Sequence, residues 1–277
     1  MWFFNKKKPT ATNHIAIDPR FSAQLKNFKP VIEKHADHER PIIEVKDLTK
    51  KYFVHHKFKE VLSKISFSVY EGEQVAILGT NGAGKTTLLE ILSGSVVPSS
   101  GRIYYDYDFK YSPQERIGIQ FQDASCPRGL KVFDIISFQN SINRYKISEA
   151  DLAKLLKTFR LDQMLNKQAH KLSGGQQQRL NVFLAVMSDP KILFLDELST
   201  ALDINAQLWM FKYVKNYINK NKITTLISSH NVREIIHFAQ RVIILRDGSI
   251  VLDTTIKSII QHFGSLERFM SNYLKIK

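Results

Sequence analysis

Residues 79–86 restrict the possible folds of this chain more than any other stretch. They read Gly-Thr-Asn-Gly-Ala-Gly-Lys-Thr, which is the phosphate-binding P-loop pattern. A continuous apolar run at 75–78, typical of a buried parallel strand, comes directly before them, and a helix is predicted to begin near Lys85. Strand, glycine-rich loop and helix form the context that this motif requires. The chain is therefore predicted to be an α/β protein with a nucleoside triphosphate site where this strand ends.

The residue types in the P-loop suit an anionic ligand. Its glycines leave room for backbone N–H groups to surround phosphate oxygens, and the positive end of the following helix points at the same place. The Lys85 ammonium is predicted to contact the β- and γ-phosphates, and the Thr86 hydroxyl to ligate Mg²⁺. The residues predicted to bind the nucleotide here are Gly79, Asn81, Gly82, Gly84, Lys85, Thr86 and Thr87.

An acidic pair follows a second apolar strand. Residues 192–195 are Ile-Leu-Phe-Leu, and Asp196 and Glu197 come next. The C-terminal ends of parallel strands open on the ligand crevice, which places both carboxylates near the phosphates. Asp196 is predicted to hold Mg²⁺ through water, and Glu197 to polarise the attacking water as general base.

Composition limits the remaining possibilities. The chain has 277 residues, 43% of them hydrophobic, and no continuously apolar segment long enough to span a membrane. The apolar residues at 2–4 precede the lysines at 6–8, the reverse of a secretion signal, and Cys126 is the only cysteine. A cytoplasmic location is the expectation. The net charge of +14 fits a solvated surface, a site facing anionic lipid headgroups, or nucleic acid.

Residues 1–40 are predicted to be an N-terminal extension that contains one short amphipathic helix. Asp18 and Pro19 suit a helix start, and Phe21, Leu25 and Phe28 then recur at helical spacing. Two interpretations stay open. The helix packs against its own domain or belongs to a mobile tail, or it docks on a membrane or a partner together with the apolar and basic residues at 2–8.

The catalytic domain is predicted to cover residues 41–254, followed by a helical tail at 255–277. Alternation at 42–48 and 65–69 indicates half-buried strands, and strand signals recur at 103–105, 117–121, 192–195, 225–227 and 242–245. Asp247 and Gly248 predict a hairpin turn into a strand at 250–252. Between about 123 and 185 the apolar residues take helical spacing, which indicates a helical insert.

At residues 172–176 the chain reads Leu-Ser-Gly-Gly-Gln. With the P-loop before it and the acidic pair after it, this signature peptide makes residues 42–253 resemble the nucleotide-binding subunit of an ATP-binding-cassette (ABC) transporter. The resemblance implies a mixed sheet core with an antiparallel β lobe and a helical subdomain. It also implies that Ser173, Gly174, Gly175 and Gln176 bind ATP held by the opposite subunit of a head-to-tail dimer. Two glycines and a serine at a helix start make a second anion site, in agreement.

Further positions match the family one by one. The resemblance implies that Tyr52 stacks on adenine, that Gln122 senses Mg²⁺ and the attacking water, and that His230 contacts the γ-phosphate; Gln120 is a poorer match than Gln122. Asp203, which crosses the dimer interface in the family, is retained. The sequence departs from the family at Leu198, usually proline, at Ala201, usually glycine, and at Gln240, usually aspartate.

The function predicted from this resemblance is Mg²⁺-dependent ATP hydrolysis that drives a transporter. The expected partners are a second cassette, in a homodimer or heterodimer, and separate integral-membrane permease subunits that hold the chain at the inner face of the membrane. Residues 117–143 resemble exporter cassettes, and few residues follow Leu252, so export is favoured over import. Two alternatives stay open, a nucleic-acid-associated ATPase and a cassette that bridges envelope proteins without transport. Nucleic acid is not an expected partner.

Overall fold

Five parallel strands and one antiparallel edge strand form the central sheet of this protein, seen in a computed structural model that describes residues 19–32, 40–121, 126–200 and 202–273. The strands are Ile43–Val54 (β1), Lys57–Val69 (β2), Gln74–Leu78 (β3), Ser100–Tyr105 (β4), Ile117–Gln120 (β5), Ile192–Asp196 (β6), Thr224–Ser228 (β7), Arg241–Arg246 (β8) and Ser249–Thr255 (β9). The helices are Pro19–Asn27 (α1), Lys85–Leu92 (α2), Val132–Ile142 (α3), Glu149–Thr158 (α4), Gly174–Val186 (α5), Ile204–Asn221 (α6), Val232–Phe238 (α7), Ile256–Phe263 (α8) and Leu266–Tyr273 (α9).

The order of strands in the central sheet is β5-β6-β7-β3-β8-β9, with only β9 antiparallel to its neighbour among these strands. All five residues of β3, of β6 and of β7 are buried, as expected for parallel strands covered on both faces. Because these three strands are adjacent and parallel, the loops that follow them emerge side by side at one edge of the sheet. The P-loop, Glu197 and His230 lie on those loops, and Asp196 is the last residue of β6.

Alternate residues of β3 face two different hydrophobic layers. Val75 and Ile77 pack in a cluster with α2 and the three-stranded antiparallel sheet, whose order is β2-β1-β4. Ala76 and Leu78 face the other way, into a cluster formed with α3 to α9. The central sheet is therefore the middle of three layers, and its two faces are closed by different elements.

The antiparallel lobe differs from the sequence prediction in its length. Alternation predicted strands at 42–48 and 65–69, but β1 and β2 continue toward each other and join at a two-residue turn. His55 and His56 form that turn with φ angles of 49° and 61°, the left-handed pair that a tight hairpin requires. Most residues at 50–60 are exposed, so they show no alternation of apolar and polar types, and the pattern missed this part of the hairpin.

Helix α1 packs against the end of the chain. Phe21 is fully buried, with its ring 5.3 Å from that of Phe263 and 6.1 Å from that of Phe269. Beyond the helix, Val31 exchanges hydrogen bonds with the Thr254 hydroxyl, and its carbonyl accepts from the backbone N–H of Thr255. The apolar face predicted for this helix is thus covered by its own domain. The apolar and basic residues at 2–8 lie outside the described residues.

The helical tail consists of two helices rather than one. Gly264, with φ of 87°, ends α8, and α9 begins two residues later. Leu266, Phe269, Met270 and Tyr273 form the buried face of α9. None of the helices described is both long and apolar enough to cross a bilayer.

Candidate nucleotide-binding site

The P-loop forms a tight turn between β3 and α2 in which glycine is required at two positions. A Cβ added to Gly79 would lie 2.5 Å from the carbonyl oxygen of Leu245. One added to Gly84, where φ is 101°, would lie 2.6 Å from the Leu62 side chain. Both positions exclude any larger residue. The loop therefore keeps its backbone N–H groups at the start of α2, where a phosphate can approach.

Lys85 lies at the centre of the site. Its ammonium donates to the carbonyl oxygens of Gly79 at 2.9 Å and Thr80 at 3.2 Å, and lies 3.4 Å from Nε2 of His230. Burial lowers the pKa of Lys85, and the charges of Glu197 and Asp196 oppose this shift. A buried cation facing two carboxylates can neutralise part of the charge of a bound triphosphate.

Asp196 and Thr86 meet across the loop. The Thr86 hydroxyl donates to Oδ2 of Asp196 at 3.2 Å, and the aspartate is only 3% exposed. Burial raises the pKa of Asp196, while hydrogen bonds from Ser228 and Thr86 oppose that shift. A carboxylate and a hydroxyl beside a phosphate cradle are the hard oxygen donors that Mg²⁺ uses together with substrate phosphates. The residues present therefore fit the ion, which when bound would neutralise phosphate charge.

Glu197 is held in an unusual backbone conformation directly after β6. Its φ is 55°, in the left-handed region that costs a non-glycine residue energy. Its N–H donates to the Ser228 carbonyl at 2.8 Å. The carboxylate contacts Nε2 of His230 at 3.3 Å and accepts from the Thr200 hydroxyl at 3.1 Å. Because the side chain is 21% exposed, water can reach it.

The structure therefore brings together five of the predicted residues. Thr86 and Asp196 form one hydrogen-bonded pair, and Glu197, His230 and Lys85 form a second set of contacts. The two sets are adjacent because Lys85 precedes Thr86 and Asp196 precedes Glu197 in the chain. They come from the three adjacent strand ends. The arrangement combines a general-base candidate with a phosphate cradle and a cation.

The signature peptide forms the start of α5. Ser173 caps the helix by accepting from the Gln176 N–H, and the Gln176 side chain accepts in return from the Ser173 N–H. Ser173 and Gly174 are exposed. This reciprocal capping box satisfies one N–H group of each residue. It leaves the N-terminus of the helix facing solvent.

The remaining predicted residues lie at separate places. Tyr52 is half-buried on β1, with the Lys50 ammonium 4.7 Å above its ring. Asp203 is exposed and caps α6 by accepting from the Ala206 N–H. Gln122 lies outside the described residues. Gln120 is 1% exposed and donates to the carbonyls of Phe121 and Asp196, so its amide joins two strand ends.

Sequence reasoning missed one buried carboxylate beside the site. Glu234 on α7 is fully buried and accepts hydrogen bonds from Leu198 and Ser199, the two residues that follow Glu197. Burial raises the pKa of Glu234, and these hydrogen bonds oppose the shift. The one sequence signal for it was an acidic residue one helical turn after His230, with apolar neighbours at 235 and 236.

A groove of about 780 Å³ lies elsewhere, between residues 144–158 of the helical insert and residues 213–221 of α6. None of the predicted site residues lines it. This groove is therefore separate from the site, which the P-loop and the strand ends define by their chemistry.

Comparison with known proteins identifies the family of this chain. The profile of the family described as ABC transporter matches residues 62–200, half of the chain, and includes the P-loop, the signature peptide and the acidic pair. The chain belongs to this family. It is an ABC-type nucleotide-binding subunit, and the predicted fold class is confirmed.

Curated relatives include the spermidine/putrescine import ATP-binding proteins PotA of Mycoplasma mycoides and Aliivibrio fischeri. Each is 34% identical to this chain, over 76% and 73% of it and over 61% and 56% of the relative. The chain therefore spans about three fifths of the length of these proteins. Their names say import, so the prediction of export finds no support here. Exporter-like residues at 117–143 and a short C-terminal tail were insufficient grounds for it.

Solved structures give the same architecture. A dimeric structure of the ABC transporter cassette MJ0796 matches with a TM-score of 0.69 and 25% identity, over 77% of this chain and 98% of that one. A structure of an ATP-binding subunit of an ABC transporter matches with a TM-score of 0.72 and 25% identity, over 84% of this chain and 99% of that one. A further MJ0796 dimer is described as a post-hydrolysis state bound to ADP and Pi.

Proposed function

We propose that this chain binds and hydrolyses ATP with Mg²⁺, and that it energises a membrane transporter as one of two paired cassettes. The observation that carries the proposal is the joining of Glu197, His230 and Lys85 by contacts of 3.3 and 3.4 Å beside the P-loop. A candidate base, an imidazole and a candidate phosphate-binding ammonium therefore lie side by side. Family membership supports the same chemistry.

Each residue has a distinct role in this proposal. Lys85 exchanges its bonds to the loop carbonyls for bonds to the β- and γ-phosphate oxygens. Asp196 and Thr86 would hold Mg²⁺, which when bound would neutralise charge on the phosphate oxygens. Glu197 accepts a proton from the attacking water, and His230 holds the carboxylate in line with the γ-phosphate. Because phosphoryl transfer requires little covalent help, positioning and charge neutralisation supply most of the rate.

The partners follow from the family. One chain carries one P-loop and one signature peptide, and the MJ0796 cassettes are described as dimers. We propose that two cassettes, identical or different, meet head to tail, with Ser173 and Gly175 of each facing the nucleotide of the other. Separate permease subunits then hold the pair at the inner face of the membrane. Tyr52 is proposed to stack on adenine, and Gln122 to link the site to the permease.

The first test is hydrolysis by the purified chain. Wild-type protein should release phosphate from ATP only with Mg²⁺, and Lys85→Ala should abolish that activity because the phosphates lose their cation. An exposed lysine on α6, Lys212, offers the matched control, and Lys212→Ala should retain wild-type turnover. Equal turnover in all three proteins would refute the assignment of the site.

For direction we propose import, supported by the names of the relatives. Cells that carry Lys85→Ala in place of the wild-type chain should lose uptake of the transported substrate. Labelled spermidine and putrescine are the first substrates to assay, because those relatives are named for them. Unchanged uptake together with lost efflux of a labelled compound would restore the export prediction.

A further inference from the structure

Glu234 is a buried acid whose partners are almost all on one loop. It lies on α7, one turn after His230, and is 0% exposed. Among the residues that the structure describes, no lysine, arginine or histidine forms an ion pair with it. A buried carboxylate without a cation is costly unless hydrogen bonds satisfy its oxygens. The hydrogen-bond donors that surround Glu234 therefore identify the segment that it holds in place.

Those donors belong to the segment directly after Glu197. One carboxylate oxygen of Glu234 accepts from the Leu198 N–H at 3.0 Å. The other accepts from the Ser199 N–H at 3.3 Å and from the Ser199 hydroxyl at 2.6 Å. The Ser229 side chain, next to His230, also hydrogen-bonds to it. One side chain thus joins the loop after β6 to the loop after β7.

A second contact strengthens that junction. Asn231, the residue after His230, caps α7 and donates from its side chain to the Ser199 hydroxyl at 3.3 Å. Ser199 therefore accepts one hydrogen bond from Asn231 and donates two to Glu234. Ser199 is two residues after Glu197 in the chain, and Asn231 and Glu234 are one and four residues after His230. Both residues of the Glu197–His230 contact are tied to the same network.

The conformation of Glu197 needs such support. A non-glycine residue with φ of 55° persists only where its surroundings hold it there. The N–H of Glu197 itself is bonded to Ser228, and the next two N–H groups are bonded to Glu234. Leu198 stands where the family usually has proline, which has no N–H to donate, so this chain has a donor that the usual residue lacks.

We infer that Glu234 is a positioning residue for hydrolysis: it fixes the loop that presents Glu197 and aligns that carboxylate with His230. The inference rests on the proposed function, because it gives Glu234 a role only if Glu197 acts as the base. A carboxylate accepts and does not donate, which matches the four donors that face Glu234. A glutamine in its place would turn an NH₂ group toward one of them.

The test compares Glu234→Gln with the control Glu267→Gln, which removes an exposed carboxylate on α9. In Glu234→Gln, kcat should fall by about 10- to 100-fold, the range for lost orienting partners. The KM for ATP and the affinity for a non-hydrolysable ATP analogue should stay within about twofold, because the P-loop is untouched. Glu267→Gln should match wild type in all three measurements.

A double variant separates positioning from general stability. If Glu234 acts through Glu197, adding Glu234→Gln to Glu197→Gln should lower the residual kcat by less than about twofold, since coupled residues are not additive. If Glu234→Gln lowers kcat by the same factor in the Glu197→Gln background as in wild type, Glu234 does not act through Glu197 and only stabilises the fold. An unchanged kcat in the single variant would overturn the inference as well.

Ser199→Ala keeps the inference testable if Glu234→Gln does not fold. This variant removes only the hydroxyl that donates at 2.6 Å, and it should lower kcat several-fold with unchanged affinity for the ATP analogue. Wild-type kcat in Ser199→Ala would contradict the inference. If wild-type protein itself fails to hydrolyse ATP, the proposed function fails, and that result is distinct from all of these.

Discussion

Glu197 and His230 form the contact on which the proposed proton transfer depends. Their 3.3 Å contact joins the candidate base to the residue that lies against Lys85. A carboxylate that contacts an imidazole and is open to water has the oxygen acceptor that a general base requires. We therefore propose that Glu197 removes the proton and that His230 aligns its carboxylate.

Replacing the carboxylate tests this assignment directly. Glu197→Gln keeps the size of the side chain but cannot take a proton, so turnover should fall at least about a hundredfold. ATP binding should be retained, because Lys85 and the P-loop are unchanged, and the bound nucleotide should accumulate unhydrolysed. Phosphate release and binding of a fluorescent ATP analogue measure the two effects. Near wild-type phosphate release would show that another group is the base.

At this scale, the sequence revealed residues whose role depends on local spacing. The P-loop is contiguous, and Asp196 and Glu197 follow a recognisable buried strand, so both could be predicted. Glu234 could not, because its partners Leu198 and Ser199 lie 36 and 35 residues away in the chain. Which loop an inward-facing acid reaches depends on the three-dimensional order of β6 and β7, which no local pattern contains.

Among the secondary-structure elements, α1 shows how two open interpretations are decided by packing. The sequence predicted its apolar face correctly but could not say what covers it. Phe21 and Phe28 lie against Phe263 at ring distances of 5.3 and 5.1 Å, and the Gln24 carbonyl lies 2.8 Å from the His262 ring nitrogen. The helix therefore completes the core over α8 and α9. Docking on a membrane through this face would require it to leave that core.

This packing predicts that Phe21 contributes to stability far from the catalytic site. Phe21→Ala removes a fully buried ring and should lower the free energy of unfolding by about 3–5 kcal/mol. Phe58→Ala is the control, since Phe58 is 75% exposed at the hairpin tip, and it should change stability by less than about 0.5 kcal/mol. Urea denaturation followed by circular dichroism measures both. Equal midpoints would mean that α1 does not stabilise the domain.

The long hairpin of β1 and β2 illustrates the opposite limit. Its outer half was not predicted, because strands exposed on both faces have no periodic apolar pattern to read. The parallel strands β3, β6 and β7 were predicted, since burial on both faces makes them continuously apolar. Elements that enter the core thus leave a signal in the sequence. The half of the hairpin that extends from the core instead depends on the geometry of its turn at His55 and His56.

For the whole molecule, the fold places the P-loop and the signature peptide at the starts of two different helices, α2 and α5. Lys85 lies within the site formed by three strand ends, whereas Ser173 caps the start of α5, where its hydroxyl accepts from the Gln176 N–H. The N-terminus of α5 keeps N–H groups available for an anion. If that anion is the γ-phosphate on a second chain, each complete site combines groups from two subunits.

Mixing two inactive variants tests this sharing. Ser173→Arg blocks the start of α5 and Lys85→Ala removes the phosphate cation, so each variant alone should form dimers with no intact site. In a 1:1 mixture half of the dimers should contain both variants. Each mixed dimer would have one intact site, so activity should recover to about a quarter of the wild-type value if sites act independently.

Phosphate release is measured at protein concentrations above and below that of dimer formation, as judged by size-exclusion chromatography with ATP. Recovery should disappear on dilution, because the complete site exists only in the dimer. Full activity of Ser173→Arg alone as a monomer would contradict a shared site and place the whole reaction within one chain.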